Sequence, residues 1–155
     1  MKFSDREDIE APIETVFAAV MDFEGFERAA LRRGAQVQRE DPPGGPGAGT
    51  RWTVKFVFRG KRREVLATMT DFEPPSGLVV SFTSGGIEGL TTIDLVQLSP
   101  GRTRVSVAVT LKPGTLSARL MIQSLKLAKS NLDRRFKARV ADWASEIERR
   151  ERLRA

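Results

Sequence analysis

The segment Thr115–Arg150, TLSARLMIQSLKLAKSNLDRRFKARVADWASEIERR, decides the architecture of this chain. Within it Leu125, Ala128, Leu132, Phe136, Val140, Trp143 and Ile147 recur at spacings of three and four. A backbone with about 3.6 residues per turn gathers them on one stripe. The period predicts a single long amphipathic helix over about residues 115–150. Such a stripe is stable only against a broad apolar surface, and the one surface the remaining sequence offers is the inner face of a sheet.

That sheet is legible upstream, where the period is 2. Arg51 to Arg59 alternates, with Trp52, Val54, Phe56 and Phe58 on one face and Thr53, Lys55, Val57 and Arg59 on the other. Gly60 marks a hairpin. A two-residue turn, the favoured reading, puts Val65, Ala67 and Met69 on the face of Trp52; a three-residue turn would bring Leu66 and Thr68 inward instead. Strands over 78–84, 87–98 and 104–112 follow the turns Pro74-Pro75-Ser76-Gly77, Gly85-Gly86 and Ser99-Pro100-Gly101. In the last, Val105, Val107, Val109 and Leu111 share a face.

Ahead of the hairpin lie an opening strand over residues 3–10 and a short one over 35–40. Between these, Ala11-Pro12 opens a helix with Val16, Phe17 and Val20 on its buried stripe. A break near Asp22 leads into a second short helix carrying Phe23, Phe26 and Ala30, which Gly34 ends. The expected fold is α+β: one domain over residues 1–155, an antiparallel sheet of six to seven strands, two short helices after the first strand, and the long helix last. A chain of 155 residues buries roughly 70% of its unfolded surface, so it needs neither disulfides nor a metal to stay folded.

Composition removes much chemistry. Cys, His and Tyr are absent. Zinc, haem and iron–sulfur sites lose their usual ligands, and Ser–His–Asp and Cys–His nucleophilic catalysis are excluded. No metal and no cofactor are expected. The Gly44–Gly49 segment has the glycine spacing of a phosphate loop, but Thr50-Arg51 stands where Lys-Ser/Thr is required, and a strand follows rather than a helix. It reads as a flap beside a cavity mouth or as a plain connector.

The net charge of +6 is unevenly placed. Residues 1–113 hold 15 basic and 15 acidic side chains, whereas residues 114–155 hold 11 and 5. Arg149, Arg150, Arg152 and Arg154 crowd the end. The bland explanation is a solvated helix face with cations near its C-terminus; the alternative is contact with an anionic membrane. Nucleic acid is not expected as a partner, because the aromatics sit on apolar faces rather than among arginines. The acidic, polar start and the absence of a long uncharged run point to a cytoplasmic protein. Sequence gives no reading of oligomeric state.

Several motifs carry a resemblance. Ile9-Glu10-Ala11-Pro12 followed by Val16-Phe17 and Asp22, Gly49-Thr50-Arg51-Trp52, Phe72-Glu73-Pro74-Pro75 and Arg102-Thr103-Arg104-Val105 occur in the order found in the START-related, polyketide cyclase/dehydrase-like lipid-transport superfamily (SRPBCC). Gly44-Gly45-Pro46-Gly47 resembles the glycine-rich loop of its birch-pollen-allergen branch. The resemblance covers the whole chain. It implies a helix-grip fold, in which a curved antiparallel sheet wraps the C-terminal helix over an apolar cavity.

Periodicity alone does not show a cavity, and without further information a solid core is the favoured reading, because apolar inner faces normally pack. With the resemblance, the expected cavity lining is Trp52, Val54, Phe56, Met69, Phe82, Ile93 and Val107, joined by Val80, Thr91, Val109, Met121 and Leu125. Gly45, Gly47, Gly85 and Gly86 would form the entrance loops. Candidate carboxylates for catalysis are Asp71, on the inner parity at a strand end, and Glu88, in an entrance turn; alternation turns Glu64 and Asp94 outward. The expected function is binding or transport of a small hydrophobic ligand such as a lipid, quinone or polyketide-like molecule. The alternative is a cyclase or dehydratase that uses the same cavity without metal or nucleotide.

Overall fold

The computed structural model describes residues 1–154 and contains one seven-stranded antiparallel sheet. Its strands are β1 (Lys2–Ile9), β2 (Gln36–Glu40), β3 (Arg51–Phe58), β4 (Lys61–Glu73), β5 (Gly77–Ser84), β6 (Ile87–Ser99) and β7 (Arg102–Pro113). Their order across the sheet is β1-β7-β6-β5-β4-β3-β2. The chain passes from one edge to the other through α1 (Ile13–Val20) and α2 (Phe23–Arg32), and ends in α3 (Leu116–Lys126) and α4 (Lys129–Arg154).

Local chemistry sets the boundaries. Pro12 is extended (φ −62°, ψ 152°) and sits just before α1 rather than in its first turn. Asp22 caps α2, its carboxylate accepting the Gly25 N–H at 3.1 Å. At the other end Gly34 adopts φ 90°, its N–H donating to the Leu31 carbonyl while the Ala35 N–H donates to that of Ala30. This bond pair needs a left-handed residue, which glycine supplies without strain.

The β3–β4 hairpin closes through two residues, Arg59 and Gly60, both at positive φ, with Phe58 opposite Lys61. Trp52 therefore pairs with Ala67 and Val54 with Val65, the register expected from sequence. Further along β4 the alternation breaks. Met69 pairs with Val80 and Asp71 with Val79, so Thr70 is an extra, unpaired residue. The bulge reverses the parity: Asp71 is exposed on the outer face, correcting the inward assignment, and Phe72 turns in with its ring 5.9 Å from that of Phe17.

The C-terminal helix differs from expectation by one interruption. At Leu127 and Ala128 the N–H groups donate to the carbonyls of Ser124 and Leu125, three residues back, and the ladder restarts when Leu132 bonds to Ala128. α3 rests on β7 while α4 lies along β1, with Phe3 and Phe136 6.1 Å apart.

The solid core occupies one end of the sheet. There Ile9, Val16, Val20, Leu95 and Val105 meet Ala144 and Ile147 of α4, all nearly or completely buried. Thr103 sits in this core and donates from Oγ1 to the Ala11 carbonyl at 2.8 Å, tying β7 to the β1–α1 junction.

Candidate ligand cavity

Away from that end the inner face is concave and only partly covered. Two adjoining hollows lie on it. The first, about 350 Å³, is roofed by α2 and floored by Trp52, Val54, Ala67, Met69, Val80 and Ile93. Phe23 and Trp52 meet edge to face at 5.1 Å beside it. The second, about 540 Å³, lies between the β3–β4 hairpin and α3, against Phe56, Val65, Phe82, Leu111, Met121 and Leu125.

Side-chain size keeps this space open. Ala67, Gly89 and Thr91 stand on the inner face where a packed layer would carry larger aliphatics. The Phe82 ring lies directly over Gly89, and a Cβ there would collide with it. Glycine thus lets Phe82 lie against the sheet instead of filling the space above.

The cavity residues expected from sequence divide between the two hollows. Trp52, Val54, Met69, Val80, Thr91 and Ile93 line the first; Phe56, Phe82, Met121 and Leu125 line the second. Val107 and Val109 share the inner face but line neither: Val107 packs against the solid core, and Val109 pairs with Phe3 at the β1 edge. Gly85 borders the second hollow. Beside it the Gly86 carbonyl accepts the Gly114 N–H at 2.7 Å, linking the β5–β6 turn to the start of α3.

Gly45 and Gly47 line neither hollow. Their loop is fastened to β4, because the Gly49 N–H donates to the Met69 carbonyl and Gly47 sits against the Phe72 ring. Fully buried Thr50 accepts the Gly47 N–H at 3.0 Å.

Neither candidate carboxylate reaches the cavity. Asp71 faces out beyond the bulge, and Glu88 is exposed on the outer face, opposite Thr83 and Lys112. Glu64 and Asp94 are exposed as well. The carboxylate that does border the first hollow is Glu27 of α2, which accepts from Arg39 at 2.7 Å. Arg39 also lies 3.3 Å from Asp41 and 5.5 Å above the Phe23 ring, so the cation at this rim is already engaged by carboxylates.

The second hollow has a different rim. Arg59, Lys61 and Arg63 border it, and no Asp or Glu does. The signal for these residues was in the sequence: continuing the Trp52-face alternation through a two-residue turn reaches Lys61 and Arg63 before Val65.

Shifted carboxyls lie elsewhere. Glu7, on the inner face of β1 beneath α4, is raised above its usual value by burial and then by neighbouring Asp5, one of whose oxygens is buried without a partner. Asp8 is lowered by a two-pronged bond from Arg104, at 2.8 and 3.2 Å. On α4, Glu146 is pushed down to about 2, chiefly by Arg149 and also by Arg150. Part of the terminal cationic cluster is therefore paired within its own helix. Among the described residues there is no group of three potential metal-ligating side chains, and no helix is long and apolar enough to cross a membrane.

Solved structures with the same fold include TTHA0849 from Thermus thermophilus, 18% identical with TM-score 0.63, the alignment covering 95% of this chain and 97% of the other. The Zhui aromatase/cyclase from Streptomyces sp. R1128 is 14% identical with TM-score 0.69 over 97% and 94% of the two chains. A norcoclaurine synthase from Thalictrum flavum is 14% identical with TM-score 0.64 over 98% and 96%. No curated protein sequence matches significantly. The sequence model of the family described as polyketide cyclase/dehydrase and lipid transport matches residues 1–148, and with that match spanning sheet, hollows and C-terminal helix, the chain belongs to this family.

Proposed function

We propose that the protein binds a small hydrophobic molecule by enclosure and releases it chemically unchanged. The observation that carries this reading is the apolar, concave inner face, left open beneath α2 and α3 while the adjoining part of the same face, under α1 and α4, packs solid. Removing apolar ligand surface from water contributes about 25 cal/mol per Å². Thr91, the polar side chain on the floor of the first hollow, is placed to orient a ligand.

Entry would proceed at α3. This helix is bounded by Gly114-Thr115 and by the interruption at Leu127–Ala128, and it exposes Leu116 and Leu120. The Gly85-Gly86 turn and α3 would part together, because the Gly86 carbonyl bond joins them. The cyclase or dehydratase alternative has less support, since neither Asp71 nor Glu88 borders either inner-face hollow and Glu27 is committed to Arg39.

Native mass spectrometry of protein purified gently from its own host, followed by organic extraction, tests the reading. A stoichiometric apolar molecule is expected. A bare protein mass, together with no saturable uptake of the neutral dye Nile red, would overturn it.

A further inference from the structure

We propose that the ligand is an amphiphilic anion, whose carboxylate or phosphate lies among Arg59, Lys61 and Arg63 while its apolar body runs inward between the β3–β4 hairpin and α3. This rests on the enclosure reading and specifies the ligand class.

The inner face of β4 changes character along its length. Lys61 and Arg63 stand at the hairpin end, and Val65, Ala67 and Met69 follow on the same face. From Arg63 to Met69 is six residues, roughly 20 Å of strand. A molecule lying along this face meets cations at one end and hydrocarbon over the rest. A wholly apolar ligand would gain nothing from two cations on the concave side, whereas an anionic terminus would gain charge-assisted hydrogen bonds there.

The cations are also unspent and held in place. None of the three is ion-paired among the described residues, in contrast to Arg39 at the other rim. The Arg59 and Arg63 guanidiniums lie 5.3 and 5.7 Å from the Phe58 ring centre. Arg59 donates to Ser124 Oγ of α3 at 2.6 Å, and Arg63 to the Phe58 carbonyl at 3.3 Å. Guanidiniums positioned before binding lose less freedom when an anion arrives. Arg59 further occupies a left-handed position (φ 54°) where Asn, Asp or Gly is the favoured choice, so turn formation does not explain an arginine there. Its bond to Ser124 couples the anion site to the helix that covers the hollow.

The test is calorimetric titration with three probes, each kept below its micelle concentration or solubility limit: decanoate, decanol and dihexanoyl phosphatidic acid. At low salt, at least one anion should bind about tenfold or more tightly than decanol, and the advantage should shrink as salt rises. Preference for decanoate assigns a free fatty acid, and preference for the phosphatidate a phospholipid headgroup.

Arg63→Gln and Arg59→Asn should each remove most of the advantage, and Asn suits the turn that Arg59 occupies. Arg62→Gln makes the same change in net charge on the outer face and should leave the advantage intact. Equal binding of decanol and both anions would overturn the anion site while leaving the enclosure reading in place. Equal loss in Arg62→Gln would also overturn it, by reducing the effect to overall charge. Binding of none of the three would overturn both.

Discussion

Ala67→Leu separates a hollow interior from a packed one. Ala67 lies on the inner face opposite Trp52 and Phe82, with its methyl at the floor of a hollow of about 350 Å³. Leucine adds three carbons. If they enter open apolar space they contribute roughly 2 kcal/mol at about 0.8 kcal/mol per buried methylene, less about 0.5–1 kcal/mol of lost rotamer freedom. The variant should therefore be about 1 kcal/mol more stable than the parent. In a packed layer the same carbons would force neighbours off their rotamers and destabilise by about 1–3 kcal/mol. For a domain of this size 1 kcal/mol moves Tm by roughly 2–4 °C, so the two interiors predict shifts of opposite sign. Calorimetric melts of ligand-free protein read the sign, and Nile red titration should show weaker uptake by the variant. A Tm lowered by about 4 °C or more, with dye uptake unchanged, would refute the open floor.

Two further predictions concern the frame around the cavity. Thr103→Val keeps the shape but leaves the Ala11 carbonyl buried without its donor, which should cost about 1–3 kcal/mol in urea unfolding; a change below about 0.5 kcal/mol would show that the bond does not matter. Glu7 has a raised folded-state pKa, so above its ordinary value of 4.5 the folded protein retains a proton that the unfolded chain releases, and stability falls as pH rises through that window. Glu7→Gln should accordingly raise Tm at about pH 7, with the gain shrinking near about pH 4, and a variant less stable at neutral pH would contradict this.

The residues that built the frame were legible one element at a time. Alternation in Arg51–Phe58, the two-residue turn at Arg59-Gly60 and the 3.6 period after Thr115 each depend on neighbours within a few positions, so sequence order displays them directly. The shared face of Trp52, Ala67 and Met69 followed from turn length alone. So did Lys61 and Arg63, although their importance becomes visible only once α3 is seen across from them.

What sequence left open depends on distant partners. The bulge at Thr70, which sends Asp71 outward and Phe72 inward, is a mismatch in length between β4 and β5, and no residue in β4 announces it. The interruption at Leu127–Ala128 involves neither Gly nor Pro, and it coincides with the change from resting on β7 to lying along β1. The cavity is the deepest case. An apolar stripe reads the same whether its opposite face arrives or stops short, because periodicity specifies which side chains point inward and not how far away the facing layer lies. Here α4 and α1 close on one end of the sheet, while small residues at 67, 89 and 91 leave the other open. Local sequence thus determined the strands, the helical period and the inner face as far as the bulge, and tertiary packing decided that the small residues on that face meet open space instead of a facing layer.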